Sequence, residues 1–329
     1  MDKYHVVEWK DIAREFNDGL LLGNGASIAV DSSFNYSSLF KQARGLGFLN
    51  TDIDKIFEYF DTSDFELVLR ALWDAYQVTT FLKIKGAKIK NIYDQIREVL
   101  INTISEVHCI YDEAKDNFAS MAKFLKHFNT IASLNYDLVV YWTILYANEK
   151  EEYDGFRDCF IHGEFQDDFE VLRDSYNSTL VFYPHGNLVL ATDSYGNEIK
   201  ITRANDLYLL DTIVKRWRRR NYSPLFVSEG KSSQKLKAIR RSSYLNTVYD
   251  SVLPNLGKTI VIYGWSIGDN DKHILKKILK RKVGRIAISV FGKKDYEDKK
   301  DKIKKIRKLK PYLQALDITL FDARTCWTC

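Results

Sequence analysis

The sequence predicts an α/β fold, a doubly wound Rossmann-like parallel sheet carrying a large helical insertion, and three observations support that expectation. Short β-rich apolar runs recur at Leu20 to Leu22, Thr130 to Leu134, Thr179 to Tyr183, Pro224 to Val227, Thr259 to Tyr263, Arg285 to Phe291 and Asp317 to Phe321. Helical patterns separate most of them, and strands alternating with helices of about ten or more residues imply βαβ crossovers in a mostly parallel, helix-covered sheet. Loops rich in Gly, Asn, His and Ser follow several runs, where open α/β sheets bind ligands, so the loops together read as a nucleotide pocket.

The first run, Leu20-Leu21-Leu22, leads into Gly23-Asn24-Gly25-Ala26-Ser27, whose glycines would let the backbone approach a diphosphate. The full GxGxxG pattern fails, because Ile28 stands at the third glycine position, and an ordinary tight turn is the rival reading. About a hundred residues of helical pattern follow, including Phe65 to Phe81 and Lys88 to Tyr111. Ser63-Asp64-Phe65-Glu66 fits a capping box, with Ser63 accepting from the N3 amide and Glu66 reaching back. The division that results assigns 1–35 and 129–329 to the Rossmann-like domain and 36–128 to the insertion.

After Thr130 to Leu134 comes Asn135-Tyr136-Asp137, followed by the helix pattern Leu138 to Tyr146. Asp137 can cap that helix, while a buried Asn at a strand end can hold a water or a ribose hydroxyl. Thr179 to Tyr183 ends at Pro184-His185-Gly186, and an imidazole there is a candidate general base, with a reference pKa near 6.5. His162-Gly163 is the rival pair, less favoured because no clean strand precedes it. Glu229, in Ser228-Glu229-Gly230 after Val227, could bind ribose hydroxyls or cap the next helix.

Thr259 to Tyr263 closes at Gly264-Trp265-Ser266 and is followed by Gly268-Asp269-Asn270-Asp271, making Gly264, Ser266 and Asp269 nucleotide-binding candidates. An ordinary strand-to-helix turn with Asp or Asn capping is the alternative. Gly257-Lys258-Thr259 is not a P-loop, since position 252 is Val and a strand follows instead of a helix.

At 45% hydrophobic and 28% charged, 329 residues describe a globular chain long enough for one large core or two modest ones. The N-terminus shows no signal-peptide pattern and no apolar stretch approaches the roughly 18 residues of a membrane span, so a cytoplasmic protein is expected. Cys109, Cys159, Cys326 and Cys329 are too few for a disulfide scaffold, and the terminal CxxC pair cannot alone make a four-cysteine zinc site. The net charge of +5 is uneven: Lys272 to Lys310 holds 17 Lys or Arg against four acids, and Lys215 to Arg220 reads Lys-Arg-Trp-Arg-Arg-Arg. Ile303, Ile306, Leu309 and Leu313 suit the buried stripe of an amphipathic helix whose lysines face water; contact with an acidic partner or polyanion is the other reading.

Taken in order, Gly23-Asn24-Gly25-Ala26-Ser27, the helical insertion, Asn135-Tyr136-Asp137, His185-Gly186 and Gly264-Trp265-Ser266 resemble the sirtuin-like NAD-binding domain across most of the chain. Leu134-Asn135-Tyr136-Asp137, Tyr183-Pro184-His185-Gly186, Pro224 to Gly230 and Tyr263-Gly264-Trp265-Ser266 look like the bacterial sirtuin-like NAD hydrolases of antiphage defence. The resemblance implies that Asn135 orients the attacking group near the nicotinamide ribose, that Asp137 meets the carboxamide and that His185 is the general base. It implies too that Gly23, Gly25, Ala26 and Ser27 hold the diphosphate of NAD, with Asn24 among the cofactor-binding residues and Gly264 and Ser266 on the adenosine side. The expected activity is NAD glycohydrolysis to nicotinamide and ADP-ribose, with NAD as substrate and no metal required.

An enzyme that empties the cell of NAD must rest silent, so a homo-oligomer and a separately encoded defence partner, a HerA-type ATPase or a nucleotide-sensing protein, are expected. Contact with nucleic acid is expected only indirectly, and none with a membrane. Protein deacylation is disfavoured, because the four-cysteine zinc module and the Gly-Ile-Pro-x-Phe-Arg segment of deacylases are missing and Tyr136 stands where deacylases carry Ile. The alternatives are a catalytically silent nucleotide-sensing module and a zinc-independent deacylase or ADP-ribosyltransferase.

Overall fold

The computed structural model describes residues 5–35, 38–150, 155–169, 178–193, 195–202, 209–220, 222–227, 229–281, 283–309 and 311–327. Ser228, Lys310 and Cys329, named above, lie outside them. The central sheet has eight strands: β1 (Val6–Val7), β2 (Gly19–Leu22), β3 (Thr130–Ser133), β4 (Phe156–Arg157), β7 (Thr179–Phe182), β11 (Thr259–Tyr263), β12 (Arg285–Val290) and β13 (Asp317–Asp322). Their order is β1-β13-β12-β11-β2-β3-β7-β4 and every pairing is parallel, as the apolar runs and helical spacers predict. β2, β3 and β7 are buried at every position, which is why they read as continuous apolar runs instead of alternating ones.

From β2 the chain builds outward through β3 to β7 on one side; it later re-enters beside β2 as β11 and builds outward through β12 to β13 on the other. The connection leaving β2 thus leads towards β3 and the one leaving β11 towards β12, so the sheet reverses its winding between these two strands and a crevice opens at their carboxyl ends.

The predicted strand at Pro224 to Val227 forms, but outside the parallel sheet. As β10 (Ser223–Phe226) it pairs antiparallel with β8 (Gly186–Thr192), which in turn pairs antiparallel with β9 (Glu198–Lys200). Gly186 allows the close approach: its φ is +79°, and a Cβ there would lie 2.2 Å from the Leu225 carbonyl oxygen. β5 (Phe160–Ile161) and β6 (Glu164–Phe165) form a hairpin turning on His162-Gly163, whose φ values of 52° and 88° match a two-residue type I′ turn. His162 is exposed in that turn, away from the strand-end crevice.

Helices fill the segment between β2 and β3, the longest being Phe65–Phe81 and Ala87–Val107. The first matches its predicted bounds, but its N-cap is Asp64, whose carboxylate accepts from the Leu67 amide at 3.1 Å; the capping box centred on Ser63 does not form. The short apolar helix Phe118–Leu125 packs on the sheet, its Phe124 meeting the rings of Trp9, Tyr263 and the fully buried Trp327.

In the basic C-terminal helix Gly292–Arg307, Ile303 and Ile306 are buried as expected, and so is Leu313 beyond it. Leu309 is 40% exposed, because the helix ends at Arg307 and its period no longer carries that residue to the core. The Lys-Arg-Trp-Arg-Arg-Arg run lies on the helix Leu209–Arg220, which buries Trp217 while Arg218 reaches Glu98 and Asn102 of the insertion. No helix among the described residues is long and apolar enough to cross a membrane.

Candidate functional site

A cavity of about 670 Å3 opens at the carboxyl ends of β2 and β11, within the roughly 300–1,000 Å3 of ligand clefts. It is lined by Gly23, Asn24, Gly25, Asn135, Asp137, His185, Glu229, Gly264 and Ser266, so nine of the sequence-derived candidates converge there from five loops. Ala26 and Ser27 are buried and do not line it. Asp269 does not line it either: it opens a short 3-10 turn, and the acid that reaches the cavity is Asp271, two residues on.

The β2 and β11 loops interlock backbone to backbone. Gly25 donates to the Gly264 carbonyl at 2.7 Å, Gly23 to Tyr263 at 2.9 Å and Ala26 to Gly23 at 2.9 Å. These three amides thus close the turn itself, where a diphosphate role was expected of the loop. Gly264 has φ +68° and leaves room only for hydrogen: a Cβ would sit 2.2 Å from the Ala26 nitrogen.

Beneath the loop runs a buried polar chain. The Asn135 amide donates to the Gly23 carbonyl (3.0 Å) and to Ser27 Oγ (2.8 Å), and Ser27 Oγ donates to Asp137 Oδ2 (2.6 Å). Asp137 Oδ1 accepts from the Val139 amide at 3.0 Å, at the start of the helix Val139–Lys150. Asp137 therefore caps the helix and anchors Ser27. Burial raises its pKa, with the neighbouring His108 and the Ser27 bond acting against that rise.

His108, unmarked by any sequence pattern, accepts from the Leu138 amide through Nε2 at 3.0 Å, while Nδ1 bonds the Cys109 carbonyl. Burial holds its pKa below the ordinary imidazole value. The Asn135-Tyr136-Asp137 turn is pinned from the other side by Asn187, which donates to the Asp137 carbonyl at 2.7 Å, and by the stacking of Tyr136 on Phe226 with centroids 4.8 Å apart.

His185 is 3% exposed and leads to a second cluster that sequence reading missed. Its Nε2 faces Nε2 of His273 at 3.4 Å and Asp271 Oδ1 at 3.8 Å; Lys235 donates to the same Asp271 oxygen at 3.0 Å. His273 Nδ1 bonds Ser232 Oγ at 3.0 Å, and Ser232 Oγ accepts from the His273 amide. Burial lowers the His185 pKa to about 3, helped by the Lys235 ammonium and opposed by Asp271; burial likewise lowers that of His273 to about 4. Both rings are neutral near pH 7. The available signal was position: His273 lies in the first turn of the helix Lys272–Ile278, which follows the β11 loop.

Glu229 accepts from Ser38 Oγ at 2.9 Å and the Phe40 amide at 3.2 Å, and Ser63 also hydrogen-bonds it, so its carboxylate ties the end of β10 to the insertion. After β12 the cavity is lined by Phe291, 70% exposed, and by Ser289, Asp295 and Arg324. The buried Lys299 donates to the Trp265 carbonyl there, and burial lowers its pKa.

Residues 20–327 match the domain of unknown function DUF4917. No curated protein matches the chain.

Proposed function

The chain belongs to the DUF4917 family, and from its site we propose that it is an NAD glycohydrolase, cleaving the nicotinamide–ribose bond to give nicotinamide and ADP-ribose. The observation that carries the reading is the convergence of Asn135, His185 and the Gly23-Asn24-Gly25 turn in one cavity at the switch point between β2 and β11. A dinucleotide suits a cavity of this size lined both by a buried Asn and His and by an exposed aromatic ring, Phe291. The burial of Asn135 and His185 favours a water-poor site, in which fixed dipoles stabilise an oxocarbenium-like transition state.

In this mechanism Asn135 orients a water below the ribosyl carbon and the neutral His185 accepts its proton as the bond to nicotinamide stretches. The Asn135 amide is already fixed by Gly23 and Ser27, so its carbonyl oxygen is the atom presented to that water. The resemblance to antiphage NAD hydrolases suggests a resting state released by assembly with itself or with a separately encoded partner.

Silent nucleotide sensing is the second reading, favoured by one observation: His185 Nε2 already faces His273, so the base is engaged in this conformation. Calorimetry tests the ligand. Wild type should bind NAD and ADP-ribose, and Ser266→Glu, which sets a carboxylate at the exposed rim expected to meet the adenosine side, should bind neither. Equal NAD affinity in both proteins would remove the dinucleotide from this cavity.

A further inference from the structure

We infer that His185, His273 and Asp271 form a binding site for a Zn2+-class divalent metal ion, with the fourth coordination position open to the cavity. Tetrahedral Zn2+ with imidazole and carboxylate bonds of roughly 2.0–2.2 Å sets ligand atoms roughly 3.3–3.6 Å apart. The two Nε2 atoms are 3.4 Å apart, Asp271 Oδ1 is 3.8 Å from that of His185, and all three ligand atoms lie within 4.8 Å of one another. Two imidazoles and one carboxylate with an open position are a ligand set of reactive, not purely structural, metal sites.

The surroundings orient the ligands. Ser232 Oγ holds Nδ1 of His273, and the Leu134 backbone hydrogen-bonds the His185 ring, so each imidazole is fixed from its far side as metal-bound histidines are. Without an ion, the two Nε2 atoms satisfy one another only when one carries a proton and the other does not. An ion would accept both lone pairs.

Lys235 is the resident competitor, since its ammonium takes the same Asp271 oxygen that the ion would use. Binding of the ion therefore requires Lys235 to turn into the cavity it already lines. The consequence for activity rests on the proposed hydrolase reading: an ion on His185 Nε2 occupies the lone pair that would accept the proton of water. The metal is then an off switch, and hydrolysis itself proceeds without it.

The experiment uses Co2+ as a spectroscopic probe and Zn2+ as its competitor on the full chain stripped with chelator. Wild type should take up one Co2+ per chain with the visible bands of four-coordinate cobalt, displaced by Zn2+. His273→Gln and Asp271→Asn should lose those bands, Ser232→Ala should bind roughly 10- to 100-fold more weakly, and Lys235→Met should bind more tightly. Circular dichroism of each variant separates loss of ligand from loss of fold. Absence of binding in both wild type and Lys235→Met, or binding that persists in folded His273→Gln, overturns the inference. Binding without any NAD turnover by the metal-free protein, alone or with the protein encoded beside it, would instead retain the metal site and remove the hydrolase reading.

Discussion

At the scale of single residues, the site is a set of buried polar groups whose positions are fixed by one another. Ser27 is the shared member, accepting from Asn135 and donating to Asp137. Ser27→Ala leaves both partners buried and under-bonded, and should cost roughly 1–3 kcal/mol in urea denaturation while also reducing turnover. The pH profile follows from His185. A base lowered to about 3 is neutral throughout the neutral range and is protonated only in strong acid. The acid limb of kcat/KM should thus lie well below pH 6, and a limb centred near 6.5 would mean that the imidazole is solvated. Asn135, Asp137 and His185 were legible in the sequence because each lies within a few residues of the end of a fully buried strand. His273, Lys235 and Ser232 were not, because they sit within the first turns of helices, where His, Lys and Ser are unremarkable; the same blind spot selected Asp269 in place of Asp271.

At the scale of elements, six of the seven apolar runs became parallel strands because continuous burial leaves a continuous apolar signature. β1 and β4, of two residues each, carry no period to detect. β8 was hidden behind the glycine that turns the chain after His185, and β10 was read as parallel because sequence gives a strand's existence more readily than its direction. The glycine loop was legible as a site, while its structural duty was not: the amides of Gly23 and Gly25 bond the Tyr263 and Gly264 carbonyls and lock two loops together. Gly264→Ala should destabilise by roughly 2–4 kcal/mol, from the clash with Ala26 and the positive φ, measured as a fall in the urea midpoint. Ser38 caps the helix Leu39–Gly45, accepting from the Lys41 amide at 3.2 Å, and holds Glu229. Ser38→Ala should cost about 1 kcal/mol for the cap and faster hydrogen exchange at the insertion's first helix.

At the scale of the whole molecule, function follows from where the sheet reverses its winding. Because β2 and β11 are neighbours whose chains leave in opposite directions, loops from distant parts of the sequence meet over one crevice. That convergence brings Asn135 and His185 onto a common wall facing the glycine turn. A ligand bound there touches both halves of the sheet and should raise the unfolding temperature; saturation at 100 times its Kd corresponds to about 2.7 kcal/mol. The most direct test of the central claim is nicotinamide release from NAD by metal-free wild type, Asn135→Ala and His185→Ala, each alone and with the protein encoded beside it. Release by wild type, lost in both variants while NAD still binds, is the predicted result. Equal release by His185→Ala, or NAD binding with no release by wild type in any mixture, would contradict the account.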